Sequence, residues 1–124
     1  MSISRSISIK NAPHFLWGKG CDGYWLKKDG LFTIISEMMP SGASEKRHLH
    51  RSTEQFFYCL NGILSIELNE QAYILHEGDG IIVPPEAPHA VYNDSDKNVN
   101  FLIISCPNLL EDRVNTEEAD DNNT

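Results

Sequence analysis

Two closely spaced histidines give this chain the beginnings of a metal-binding site. His48 and His50 are separated by one residue, and residues two apart in a β-strand point to the same face of the sheet. Both imidazoles can therefore face one cavity while Leu49 faces the other way. A third histidine on a later strand, with an amide or carboxylate soon after the first pair, would complete a four-ligand site.

The histidine pair belongs to a two-part pattern of glycines, prolines and polar residues. The parts read Gly42-x5-His48-x-His50-x4-Gln55-x6-Gly62 and Gly78-x5-Pro84-x3-Pro88-His89-x3-Asn93. This pattern resembles the two conserved motifs of the cupin superfamily, whose members are small double-stranded β-helix (jelly-roll) barrels that usually hold one divalent metal ion. The resemblance covers about Trp17 to Pro107, which is most of the chain.

The resemblance implies a ligand set and a cofactor. Carried over by position, the ligands are His48, His50, Gln55 and His89, and the cofactor is one divalent ion (Fe, Mn, Ni, Zn or Co). The chain departs from the pattern at Gln55, where cupins usually have Glu, and Glu54 precedes it. It departs again at Glu86, where the second motif usually has glycine. Each histidine alone is more often structural, but three on one such scaffold favour a metal site. We expect the remaining histidines, His14 and His76, at the surface.

Length and charge predict one domain followed by an acidic tail. A chain of 124 residues suits a single domain with its own core, which we place at residues 1–110. Residues 111–124 carry six acidic residues against one arginine, a net charge of −5, and little apolar content. We predict that this tail is disordered and that its deletion leaves the melting temperature unchanged. A solvating tail is commoner than a regulatory or partner-docking one.

Composition excludes several function classes. A net charge of −8 argues against nucleic-acid binding, which needs a basic surface. No apolar run is long enough to span a membrane, and the N-terminus lacks the apolar core of a signal peptide, so we predict no membrane association and a cytoplasmic location. Three cysteines without close spacing predict neither a disulfide framework nor a cysteine-rich zinc site.

Short apolar runs separated by glycine and proline turns predict an all-β chain, a sandwich or barrel. Asn61-Gly62 is a strong signal for a type I′ hairpin, and Asn69-Glu70 is a weaker one. The predicted strands are Ile3–Ile9, Gly23–Lys27, Leu31–Met39, Glu45–His50, Gln55–Leu60, Ile63–Leu68, Gln71–Leu75, Gly80–Val83, His89–Asn93 and Val99–Ser105.

Strand parity predicts an inward face and a covered outer face around Gln55. If Gln55 points inward, Phe57 and Cys59 do too, while Phe56 and Tyr58 face the other way. Both faces are apolar, so the outer one should be covered by the N-terminal strands or by a second subunit. Cupins commonly dimerise through such a surface, and the resemblance therefore implies a homodimer.

Inward-facing apolar residues predict a pocket for a small organic ligand or substrate. We expect Phe57, Cys59, Val91, Ile103 and Met39 to line it, beside the metal. An apolar cavity with a few convergent polar groups suits such a molecule. The aromatic residues Trp17, Tyr24 and Trp25 precede the motifs, and two roles are open to them: a lid over the pocket, or a staple that packs the N-terminal strand onto the sheet.

A divalent ion with open positions can polarise a carbonyl, activate water or bind O2. The cupin resemblance therefore implies a metal-dependent enzyme of oxygenase, isomerase or cyclase type that acts on a small organic molecule. The alternative is a non-catalytic cupin that binds a sugar or effector. Glu54 faces away from the cavity and no other acid is clearly placed in it. Redox or Lewis-acid chemistry is therefore favoured over base-driven hydrolysis.

Overall fold

A computed structural model describes residues 4–107 and 112–116, and strands account for most of them. No helix in this part of the chain is long and apolar enough to cross a membrane. The predicted all-β fold is confirmed. The strands are β1 (His14–Trp17), β2 (Cys21–Lys28), β3 (Thr33–Met39), β4 (His48–His50), β5 (Glu54–Asn61), β6 (Leu64–Leu68), β7 (Gln71–Leu75), β8 (Gly80–Val83), β9 (His89–Tyr92), β10 (Val99–Cys106) and β11 (Arg113–Asn115).

The strands form two antiparallel sheets. The larger sheet has the order β1-β2-β3-β10-β5-β8, and the smaller one has the order β11-β4-β9-β6-β7. The chain therefore crosses between the sheets several times, as in a jelly-roll barrel. This topology brings β4, which carries the first two histidines, next to β9, which carries the third.

The core lies between the two sheets and follows the alternation of side chains along each strand. On β5, Gln55, Phe57 and Cys59 are buried, while Phe56 and Tyr58 are half-buried on the other face, so the predicted parity is correct. Burying one large apolar side chain contributes about 1.5–3 kcal/mol. The largest fully buried apolar side chains are Phe57, Phe101, Met39, Leu64, Ile66, Val83, Val91 and Val99.

The predicted N-terminal strand Ile3–Ile9 is wrong over its described residues. Residues 4–9 form no strand, and Ile7 and Ile9 are 49% and 54% exposed. Local hydrogen bonds end the extended run, because the Ser8 N–H donates to Asn11 Oδ1 at 2.8 Å and the Asn11 N–H donates back to the Ser8 carbonyl. The edge position in the larger sheet is taken by β1, which the sequence pattern does not reveal.

Of the two candidate hairpin turns, the one with the weaker sequence signal forms the hairpin. Asn61-Gly62 does not form the predicted hairpin, because β5 and β6 lie in different sheets and the turn carries the chain from one to the other. Asn69-Glu70 forms the tight turn instead, with φ of 51° and 67° between the paired residues Leu68 and Gln71. Positive φ at both loop residues is the type I′ requirement.

The start of the predicted disordered tail is part of the fold. Residues 113–115 form β11, which pairs with β4 along its whole length, so disorder from residue 111 onward is wrong for this stretch. The backbone of an otherwise exposed strand edge at β4 is thereby satisfied. Residues 108–111 and 117–124 lie outside the described part of the chain, and the disorder predicted there stays a prediction.

Candidate metal centre

Three histidine side chains converge on one point between the sheets. His48 on β4 pairs directly with His89 on β9, and His50 lies two residues along β4 on the same face. The ring centroids are 4.4 Å apart for His48 and His89, and 5.2 Å apart for His48 and His50. One nitrogen from each ring lies within 4.8 Å of the others, so the cluster can hold a metal ion. His14 and His76 are exposed, as predicted.

Each histidine is held through its Nδ1 atom by a hydrogen-bond acceptor. The partner of His48 Nδ1 is the Lys46 carbonyl at 2.9 Å, and that of His89 Nδ1 is the Ala87 carbonyl at 2.9 Å. The partner of His50 Nδ1 is Asp112 Oδ1, also at 2.9 Å. With Nδ1 donating, each neutral ring keeps a lone pair on Nε2. Such outer partners orient metal-binding histidines and fix their tautomer.

Burial keeps two of the three rings neutral. It lowers the pKa of His48 to about 2, with further lowering by Arg113 and His89. Burial also lowers the pKa of His89 to about 4, against the opposing effect of the Ala87 carbonyl. Metal binding requires an unprotonated nitrogen, so these rings are ready to bind an ion at neutral pH without losing a proton.

Asp112 is a residue of this site that the sequence does not predict. Its Oδ1 accepts from His50, and its Oδ2 accepts from the backbone N–H groups of Ser52 and Thr53 and from the Thr53 hydroxyl, at 2.9, 3.1 and 3.0 Å. Burial alone would raise the pKa of Asp112, but these donors outweigh burial and lower it. The charged carboxylate stabilises the Nδ1–H tautomer of His50. No local signal marks this residue, which lies 62 positions from its partner in an acidic segment.

Gln55 has the position and orientation of a fourth ligand. Its Nε2 donates to Ser105 Oγ at 3.0 Å, and its Oε1 lies 3.2 Å from His89 Nε2. Both facing atoms are acceptors when His89 Nδ1 donates to Ala87, so they repel unless a cation lies between them. A divalent ion held by both atoms would remove this repulsion. The donor set therefore fits a divalent ion, whereas an amide turned by 180° would suit the metal-free protein.

His48 and His50 open onto a cavity of about 300 Å³ between the two sheets, whereas His89 is fully buried. Its wall is mainly apolar and includes three aromatic side chains from β1 and β2, Phe15, Trp17 and Trp25. The rings of Phe15 and Trp25 are 5.3 Å apart. Phe15 reaches this position because residue 23 is glycine, since a Cβ atom there would lie 2.2 Å from the Phe15 ring. Of the two roles proposed for the N-terminal tryptophans, the structure places Trp17 and Trp25 at the cavity.

Two of the five predicted pocket residues line this cavity. Phe57 and Ile103 do so, and Val91 lines a neighbouring groove. Met39 and Cys59 point inward as expected but belong to the packed core, where both are fully buried. The parity argument is correct for these residues, but it does not show how far along each strand the cavity extends before the core closes it.

Two carboxyl groups lie on the cavity wall, which corrects the expectation that no acid is placed there. Glu37 on β3 is 9% exposed, and Glu45 precedes β4. Burial raises the pKa of Glu37 well above its usual value, Glu45 raises it further, and Arg113 opposes both. A signal for Glu37 exists in the sequence, because it shares strand parity with Met39, which is assigned inward. Glu54 is exposed on the other face, as predicted.

Comparisons with known proteins agree with this geometry. A family model described as "Cupin domain" matches residues 35–105, which is more than half of the chain. Quercetin 2,3-dioxygenase of Bacillus subtilis (strain 168) is 33% identical over 85 residues, which are 67% of this chain and 24% of that protein. An uncharacterised protein of Methanocaldococcus jannaschii is 27% identical over 75 residues, 60% of each chain. This chain thus spans less than two thirds of either relative.

The fold is also that of a solved enzyme. The structure of the polyketide cyclase RemF from Streptomyces resistomycificus superimposes with a TM-score of 0.81, covering 93% of this chain and 87% of that one. The two sequences are 15% identical, so the likeness is one of fold. A common fold hosts many chemistries, and the activity must be argued from the residues of this cavity.

Proposed function

Since the chain belongs to the cupin family, as its two motifs predict, we propose that it is a metal-dependent enzyme of isomerase or cyclase type. Its substrate in this proposal is a small organic molecule with an enolisable carbonyl group. The observation that carries the proposal is the convergence of three histidine nitrogens beside a cavity of about 300 Å³, which His48 and His50 line and whose wall also holds a buried carboxyl group. Carbonyl chemistry of this type needs both an electrophile and a proton-transfer group.

The proposed metal ligands are His48, His50, His89 and Gln55, all of which are neutral donors. When bound, a divalent ion supplies a Lewis acid that polarises a carbonyl oxygen of the substrate. The protein holds the three rings through Lys46, Ala87 and Asp112, so the ligand nitrogens need no reorientation on binding. Four neutral donors leave the full charge of the ion uncompensated, which favours an anionic or enolate-forming substrate.

The cavity wall supports a flat, largely unsaturated substrate. The aromatic rings of Phe15, Trp17 and Trp25 offer extended apolar faces on which a planar molecule can stack. Sugar recognition requires many hydrogen-bonding groups, whereas the exposed surface of this lining is mainly apolar. The non-catalytic sugar-binding alternative therefore has less support than a small aromatic or polyketide-like molecule.

Oxygenase activity is the second candidate function. It is supported by the 33% identity with quercetin 2,3-dioxygenase, which covers 67% of this chain. The same histidines and the same cavity would serve it. Oxygen consumption, measured with an electrode on the iron-, manganese-, nickel- and cobalt-loaded protein, separates this candidate from proton-transfer chemistry, which consumes no oxygen.

Two measurements on one preparation test the proposal. Elemental analysis of protein purified without chelator should give close to one divalent ion per chain, and His50→Ala should lower that content. Exchange of the α-hydrogens of phenylpyruvate in D2O, followed by NMR, should be faster with the metal-loaded protein than in buffer. A protein that takes up none of Zn, Mn, Fe, Ni or Co refutes the proposal. Binding of phenylpyruvate without exchange would indicate an effector-binding cupin.

We also propose a homodimer that covers the outer face of the six-stranded sheet. Leu60 and Ile82 on that face are 42% and 57% exposed, and they adjoin Phe56 and Tyr58. Apolar side chains in this number are unusual on a free sheet face. Sedimentation should give a dimer at tens of micromolar, and Ile82→Lys should shift it toward monomer. A monomer for the unaltered chain would refute the assembly.

A further inference from the structure

We propose that Glu37 is the catalytic proton-transfer residue of this cavity, which in its protonated form donates a proton to the substrate carbon next to the carbonyl group. This inference rests on the function proposed above and adds a residue to it. The cupin motifs do not include Glu37, which lies on β3 ahead of both. Its assignment comes from its position in the cavity.

Glu37 is a buried carboxyl group on the wall of the cavity. Its side chain is 9% exposed and lies on the wall of the cavity that His48 and His50 also line. Among the described residues, no hydrogen bond or ion pair to its carboxyl group is found. A buried carboxyl group without a partner costs stability, since burial removes its hydration and nothing replaces it. A bound substrate or water supplies the missing partner.

Charged neighbours shift the pKa of Glu37 in opposite directions. Glu45 lies on the same wall and disfavours a second negative charge, and Arg113, at the rim, favours it. Burial raises the pKa of Cys21, on the neighbouring strand β2, to about 11, and the nearby Glu37 carboxyl group contributes to this rise, so the thiol stays neutral. Burial, the dominant cause, raises the pKa of Glu37 well above its usual value and so favours the carboxylic acid form. Arg113 offsets part of the charge that appears when the proton leaves.

The step is a balanced proton transfer. The O–H bond of Glu37 breaks as a C–H bond forms at the substrate carbon, and the electron pair for the new bond comes from the enolate double bond. The carbonyl double bond forms at the same time, and Glu37 is left as the carboxylate. The reverse step removes a proton from that carbon and regenerates the acid. No electrons are gained or lost, and no further reactant is needed.

The test compares Glu37→Gln, which keeps the size of the side chain but cannot transfer a proton, with Glu54→Gln, an exposed control on β5 of the same sheet. Both variants should bind as much metal as the unaltered protein. Glu37→Gln should slow deuterium exchange into phenylpyruvate by about 10²–10⁴-fold, the usual contribution of a positioned acid or base, and Glu54→Gln should not change it. Glu37→Asp, which shortens the side chain, should fall between the two.

A second readout is independent of turnover. The infrared difference spectrum between the unaltered protein and Glu37→Gln at neutral pH should contain the carbonyl band of one protonated carboxylic acid. Absence of that band overturns the assignment, as does full exchange activity in metal-loaded Glu37→Gln, and in both cases the proposed function stands. A metal-loaded unaltered protein that never exceeds the buffer rate overturns the function and the inference together.

Discussion

The buried histidines should make the metal-free protein sensitive to mild acid. A histidine whose pKa is lowered by folding resists protonation in the native state, while the same residue in the unfolded chain takes up a proton below its ordinary pKa of 6.5. Acid therefore favours the unfolded chain. Above pH 6.5 the two histidines do not lower the free energy of unfolding. Below pH 6.5 the free energy of unfolding falls with pH, and the contribution of each histidine stops changing at its folded-state pKa, about 4 for His89 and about 2 for His48.

The size of this effect follows from the two shifts. Each pH unit below 6.5 costs about 1.4 kcal/mol for each histidine, so the pair should cost about 4 kcal/mol between pH 7 and pH 5. That is a large part of the 5–15 kcal/mol that typically holds a domain together, as an order of magnitude. Glu37 acts in the opposite sense above pH 4.5, because its pKa is raised by folding. Glu37→Gln should therefore steepen the loss in acid.

Urea unfolding of the metal-free protein at half-unit steps from pH 7 to pH 5 measures the slope. His48→Gln should remove about half of it, and His76→Gln, a change at an exposed histidine, should leave it unaltered. A free energy of unfolding that is constant over this range would refute the reasoning. If both histidines stay neutral in the folded protein and take up protons on unfolding, the free energy of unfolding must fall with pH.

Three further predictions concern the metal centre. Replacing any one of the three histidines by alanine (His48→Ala, His50→Ala or His89→Ala) should lower metal affinity, measured by competition with a chelator, whereas the control His76→Ala should not. The loss should exceed the 10–100-fold that removal of an outer hydrogen-bond partner typically causes. Asp112→Asn should lower affinity by about 10–100-fold, since His50 loses its charged partner, while Asp94→Asn should not. Gln55→Glu should tighten metal binding but weaken the binding of phenylpyruvate, and an opposite result in titration would exclude Gln55 as a ligand.

The sequence predicts the histidine cluster because its geometry depends on strand periodicity. One residue between His48 and His50 is enough to put both on one face, and the alternation along β5 then directs Gln55 to the same side. Glu37 was within reach of the same argument, since β3 is predicted and Met39 on it is assigned inward. Glu37 was not assigned to the cavity because it is charged, and an acidic residue in a strand is by default assigned to the solvent face.

Other features depend on contacts that no local pattern encodes. Asn61-Gly62 has the stronger turn signal, but turn preference does not determine which sheet the next strand joins, so the true hairpin is at Asn69-Glu70. Residues 113–115 have weak strand propensity and become a strand because β4 offers an unpaired edge. Asp112 is placed at the histidines by this same pairing, so the acidic segment that composition assigns to solvent completes the outer support of the site.

The charges of the site explain why an amide at position 55 and an acid at position 37 belong together. A carboxylate at position 55 would cancel one unit of charge on a bound ion and would also be a proton acceptor beside it. With Gln55 in that place, the proposed mechanism separates charge from proton transfer: the neutral donors on β4, β5 and β9 would leave a bound ion fully charged for an anionic substrate, and Glu37 on β3 would transfer the proton. Burial suits this division, since it lowers the pKa of His48 and His89 and raises the pKa of Glu37. Low dielectric around one cavity therefore favours the unprotonated histidines that metal binding requires and the protonated form of Glu37 that the proposed proton transfer requires.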